Sequence, residues 1–157
     1  MLLRRKLLLS GMVLSVLLFS SLVVSARAAT MWSRTYGGTG SENARSLVVA
    51  PDGGYAMVGF TDSSGAGDRD FWLVKVDALG NMQWNKTYGG ADADEAWGLA
   101  ITSDGGYAIA GNTNSFGAGD YDFWLVKTDS SGNMEWNRTY GGTLEDWVYS
   151  VILTFGW

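Results

Sequence analysis

Residues 70–90 read DFWLVKVDALGNMQWNKTYGG, and residues 122–142 read DFWLVKTDSSGNMEWNRTYGG. Trp32, Trp84 and Trp136 each open a W-x-[RK]-T-Y-G-G heptad and stand 52 residues apart. Laid over residues 84–135 without a gap, residues 32–83 agree at 29 of 52 positions. A fixed period of this length marks a repeat architecture, in which each unit buries its faces against its neighbours.

Within the second copy the spacing predicts four strands, at 96–102, 107–113, 122–128 and 134–140. Ser103-Asp104-Gly105-Gly106 and residues 129–133 supply the Asp and Gly chemistry of hairpin turns, and residues 114–120 form a glycine-rich loop. The first copy repeats the plan at 44–50, 55–61, 70–76 and 82–88. Helical repeats are excluded by the glycine density, because each Gly costs about 1 kcal/mol against Ala inside a helix. Four antiparallel strands in 52 residues match a β-propeller blade, about 40 to 50 residues long. Stacked blades bury both faces of their strands, and Phe123-Trp124-Leu125-Val126 is the continuous apolar run expected there.

The pattern D-G-G-Y, followed by D-[FW]-W-L-V-K-x-D-x-x-G-N-x-x-W-x-[KR]-T-Y-G-G, resembles the tandem repeats of secreted archaeal and bacterial β-propeller proteins. These are similar in style to Kelch and quinoprotein-like blades. The resemblance runs from Trp32 to about Thr154 and implies an all-β array of four-stranded antiparallel blades. It implies no activity, since fold alone does not fix function.

Repeats starting at 32, 84 and 136 leave two complete blades plus a strand at each end: residues 31–36 as an orphan fourth strand, 147–154 as an orphan first strand. Propellers close with 4 to 8 blades, so the expectation is part of a longer array. The apolar run Val148-Tyr149-Ser150-Val151-Ile152-Leu153 makes an open edge suited to strand addition and self-association.

Residues 1–29 read as a secretory signal peptide. Arg4, Arg5 and Lys6 precede the uncharged run 7–24, and Ala26-Arg27-Ala28 offers a cleavage site after Ala28. If the leader were retained, it would tether the chain to a membrane. The repeat domain, residues 30–157, is therefore expected outside the cell or at its surface. It carries 7 basic and 16 acidic residues, a net charge of 7 − 16 = −9, which repels nucleic acid. The chain has no Cys and no His, which removes disulfides, thiolate and histidine metal sites, and Ser-His-Asp catalysis.

Candidate sites follow from the loops. Asp68 with Asp70, and Asp120 with Asp122, put two carboxylates on a glycine loop, a weak Ca²⁺ motif. The plainer reading is that these Asp side chains cap turns, since calcium wants six to eight oxygens. No cofactor is expected, Ca²⁺ at these loops being the alternative. Asp92, Asp94 and Glu95, with Glu42, Glu145 and Asp146 in the matching segments, offer carboxylates to a glycosidase, the alternative to a binding module. Trp72, Trp84, Trp124 and Trp136 hold fixed repeat positions and are expected in the packing between blades. Trp97 departs from the repeat, its counterpart being Arg45, and is a candidate for exposed ligand contact. Gly37-Gly38-Thr39-Gly40 lacks the Lys and the helix of a nucleotide loop and reads as a turn. Asn85-Lys86-Thr87 and Asn137-Arg138-Thr139 are glycosylation sequons. The function expected is a non-enzymatic module that binds protein or glycan.

Overall fold

The computed structural model describes residues 31–154; the leader assigned to 1–29 lies outside them. Eight strands follow one another: β1 (Glu42–Val49), β2 (Tyr55–Thr61), β3 (Asp70–Val76), β4 (Met82–Tyr88), β5 (Asp94–Ile101), β6 (Tyr107–Thr113), β7 (Asp122–Thr128) and β8 (Met134–Tyr140). They form two antiparallel four-stranded sheets, ordered β1-β2-β3-β4 and β5-β6-β7-β8. The fold is thus an all-β, propeller-like array of two blades, one for each 52-residue copy. Among the described residues none is helical.

The hairpins are made by the turn chemistry of the repeat. At β1–β2, Gly53 N–H donates to Ala50 O and Ala50 N–H to Gly54 O, both at 2.9 Å. Gly53 has φ +81°, which L side chains avoid. Asp52 Oδ1 accepts from Gly54 N–H at 2.9 Å and closes the turn. The same device recurs at Thr102–Gly106, around Gly105.

Register decides which side chains share a face. Gly59 pairs with Trp72 and Met57 with Val74 on one face of the first sheet. Phe60 pairs with Phe71, Val58 with Leu73 and Ala56 with Lys75 on the other. That second face lies on the opposite-type face of the second sheet, and together they form the core. Ala56, Val58, Phe71, Leu73 and Tyr88 meet Ala96, Leu99, Tyr107, Ile109, Trp124 and Val126. The Phe71 ring stands 4.7 Å from the Trp124 ring, centroid to centroid. Gly111 makes room for it: a Cβ there would lie 2.5 Å from Phe71 Cζ. Burying a side chain of this size stabilises by about 1.5–3 kcal/mol. The edge strand β4 adds Trp84 against Tyr107 at 6.0 Å and a 2.6 Å hydrogen bond from Tyr88 O–H to Gly132 O.

Three expectations need correction. First, residues 31–36 and 147–154 form no strands, because among the described residues no neighbouring strand hydrogen-bonds to them. They still lie where strands would. Trp32 packs 5.9 Å from Tyr55 and Tyr36 O–H donates to Gly80 O at 2.6 Å, the same contacts Trp84 and Tyr88 make one repeat later. Asp146 N–H donates to Tyr121 O at 2.6 Å, as Asp94 N–H does to Arg69 O. Second, only Trp124 of the four repeat tryptophans is fully buried. Trp72 and Trp84 are half-buried, and Trp136 is 42% exposed because no third sheet among the described residues covers β8. The first strand of each sheet also starts two residues earlier than expected, at Glu42 and Asp94.

Candidate functional site: the junction between the sheets

A bulge in β1 between Ala44 and Ser46, and its repeat in β5 between Ala96 and Gly98, displace Arg45 and Trp97 from the ladder. Bulges re-aim side chains, and here they bring these two together across the junction. The Arg45 guanidinium stands 3.4 Å from the centroid of a Trp97 ring and 5.4 Å from that of Phe60. Such stacking contributes about 0.5–1 kcal/mol at exposed sites and more when desolvated. Glu95, buried on β5, bonds Arg45 Nη2 at 2.8 Å through Oε2 and pairs with Arg69 through Oε1. Arg69 also lies over Phe60, 4.7 Å from its centroid. The Glu95 carboxylate raises the Arg69 guanidinium above its ordinary pKa. Two cations therefore surround one buried acid, and neither charge is left unpaired.

Beside this cluster lies a pair of buried carboxylates. Asp70 Oδ2 accepts from Ala66 N–H at 2.8 Å; Asp94 Oδ2 accepts from Gly90 N–H and from the Ser115 hydroxyl, each at 2.8 Å. Gly89 passes between them: a Cβ there would run into Asp70 Oδ1 and come within 2.7 Å of Asp94 Oδ2. The next repeat copies the arrangement with Asp122, Asp146 and Gly141. Oδ1 of Asp70, of Asp94 and of Asp122 has no hydrogen-bond partner among the described residues. Burial raises the pKa of both Asp70 and Asp94, and the charge of Asp94 raises Asp70 further.

The sequence candidates fall in different places. Asp70 and Asp122 open strands β3 and β7 and fasten the preceding loop, which is a cap's role, while Asp68 and Asp120 stay exposed on that loop. Among the described residues no group of three or more acids is placed to hold a metal ion. Trp97 is half-buried between Arg45 and Tyr149, whose ring lies 5.3 Å away, rather than free at the surface. Of the glycosidase candidates, Glu95 is held by two arginines and Asp94 and Asp146 by backbone N–H groups. Asp92 and Glu145 are exposed, and Glu42 bonds the hydroxyls of Thr61 and Ser63. Asn85 and Asn137 lie exposed on the edge strands β4 and β8, each Oδ1 accepting from a tryptophan Nε1–H at 3.2 Å. Sequence reasoning missed Arg45, Arg69 and Phe60 as a group. Their signal was departure from the repeat: the second copy has Trp97, Tyr121 and Asn112 there.

No protein-family model matches the chain. It is similar to the regulatory protein FlaEY of Caulobacter vibrioides (strain ATCC 19089 / CIP 103742 / CB 15), 28% identical over 155 residues. The match takes in 83% of this chain and spans 16% of that protein's length.

Proposed function

We propose that this chain is a non-enzymatic repeat module, secreted or displayed at the cell surface, that acts by binding protein or glycan as part of a larger array of blades. One observation carries the reading. The buried acids are engaged in structure, whereas the large aromatic side chains on β8 are not. Glu95, Asp94, Asp70 and Asp122 hold arginines or loop backbone. A glycosidase needs two carboxyl groups facing a shared cleft; these groups face the protein's own interior. Trp136 and Tyr140, 42% and 55% exposed, meanwhile offer an aromatic surface of the kind that marks interaction sites. The likeness to secreted tandem-repeat propeller proteins supports the same reading, as does a relative named for regulation rather than for a reaction.

The test is to incubate purified chain with a panel of polysaccharides and follow both retention and release of reducing ends. Retention without release is expected. Hydrolysis that disappears in Asp94→Asn or Glu95→Gln would overturn the proposal in favour of a carbohydrate-active enzyme.

A further inference from the structure

The junction inside the chain shows how one repeat receives another. Phe71, Trp84, Lys86 and Tyr88 of the first sheet are seated on Trp124, Tyr107, Asn133 and Gly132 of the second. Both halves of this contact exist a second time with no sheet against them among the described residues. On β7 and β8 the seated residues recur as Phe123, Trp136, Arg138 and Tyr140, of which the last three are exposed. On the first sheet the seat recurs as Trp72, Tyr55, Asn81 and Gly80. There the place of the Phe71 ring is an empty groove of about 240 Å³, floored by Ala44, Met57, Gly59, Trp72 and Val74.

The terminal segments each fill one strand's place in these vacant contacts. Residues 32–36, WSRTY, lie on Tyr55 and Gly80 as β4 lies on Tyr107 and Gly132. Their counterpart in β8 is Trp136–Tyr140, WNRTY. Residues 146–154 lie against the second sheet where β5 lies against the first, with Tyr149 edge-on to Trp97 and Asp146 O accepting from Asn112. Neither segment has a strand partner among the described residues.

We propose that a second copy of this chain docks here: its first sheet covers β5–β8 of the first copy in the register that already joins the two sheets within one chain. This rests on the reading of the chain as an interaction module and names its partner. β8 of one copy displaces residues 32–36 of the next, because β8 is already ordered by its ladder with β7 and the displaced segment is not. β1 of the incoming copy replaces residues 147–154. Phe123 enters the groove beside Trp72. The bulge column continues as Arg45–Trp97–Arg45–Trp97, so that the incoming guanidinium meets an indole face again. The contact between copies is head to tail.

The absence of cysteine makes the test direct. Lys86 Nζ and Asn133 Oδ1 lie 3.3 Å apart across the internal junction; the matching pair between copies is Arg138 and Asn81. Full-length Arg138→Cys and Asn81→Cys chains with different tags are mixed and treated with a short bis-maleimide. A cross-linked pair of the two tags is expected, lost when Trp136→Asp or Tyr140→Ser is added to the Arg138→Cys chain and increased by Trp32→Gly in the Asn81→Cys chain. Both β8 positions are exposed, and a cooperative melt confirms that each variant is folded. The proposal is overturned if the pair fails to form. It is equally overturned if Ser64→Cys on the exposed β2–β3 loop serves as well as Asn81→Cys, or if the β8 variants change nothing. Failure here with retained glycan or protein binding removes the second copy and leaves the module; hydrolysis of polysaccharide removes the module and leaves the cross-link standing.

Discussion

At the scale of single residues, the junction is controlled by groups that admit little substitution. Gly89 separates two buried carboxylates, and adding even a methyl group forces one of them to move. Overpacking of this kind costs about 1–3 kcal/mol, so Gly89→Ala is expected to lower the urea midpoint with an unchanged m-value. Glu95 neutralises Arg45 and Arg69, and Glu95→Ala leaves Arg45 largely buried without its anion. Hydrogen bonds to charged groups contribute about 1.5–3 kcal/mol. With Arg69 nearly half exposed, a loss near the lower end is expected in denaturant titration. Asp70 and Asp94 set a pH dependence of definite sign. Burial raises their folded pKa above the unfolded value, so the folded state holds their protons more tightly. Their contribution is complete below the unfolded value, about 3.9 for Asp, and is lost as pH rises through the folded value. Asp70→Asn removes that ionisation. The stability of the variant, followed by denaturation from pH 3 upward, is therefore expected to fall less steeply with pH than that of the unaltered chain.

Among elements, each sheet is stitched by a buried lysine. Lys75 Nζ, on β3, donates to Asp52 Oδ2 at 2.6 Å in the β1–β2 turn and to Gln83 Oε1 at 2.9 Å in a bulge of β4. In the second sheet Lys127 bonds Asp104 and Glu135, each at 2.8 Å, with a carboxylate where the first sheet has an amide. Lys127 holds Asp104 well below the usual carboxylate range. The two copies thus form a natural comparison. Gln83→Glu rebuilds the second sheet's ion pair in the first, and a partly exposed pair is worth about 0.2–1 kcal/mol. A gain of that size is expected in thermal denaturation at low salt, with most of it lost in 1 M salt, where screening acts within about 3 Å.

Over the whole molecule, the two sheets share one core and have none separately. Phe71, Leu73 and Val58 are buried only because Trp124, Ile109 and Val126 lie against them. Phe71→Ala is expected to cost about 3–5 kcal/mol and to lower the stability of both sheets together. Hydrogen exchange in β2 and β6 should accelerate by the same factor; acceleration confined to β2 would show that the sheets fold independently. Among the described residues, the groove on the first sheet and the exposed face of β8 are the two surfaces that match the internal junction without a sheet against them.

The residue string alone determined the repeat, its period, four strands for each copy and the Asp-Gly hairpins, because these depend on local turn chemistry and on identities that recur. The stacking of sheet on sheet also followed, from unbroken apolar runs such as Phe123–Val126. Tertiary structure decided the rest. Whether a repeated tryptophan is buried depends on whether another sheet lies over it, so Trp124 and Trp136 part company despite matching Trp72 and Trp84 one repeat earlier. Arg45, Arg69, Glu95 and Trp97 converge only through two bulges and a register between separate sheets. No spacing along the chain encodes that contact: it lies at the positions where the copies differ, and long-range packing alone assigns those positions a partner.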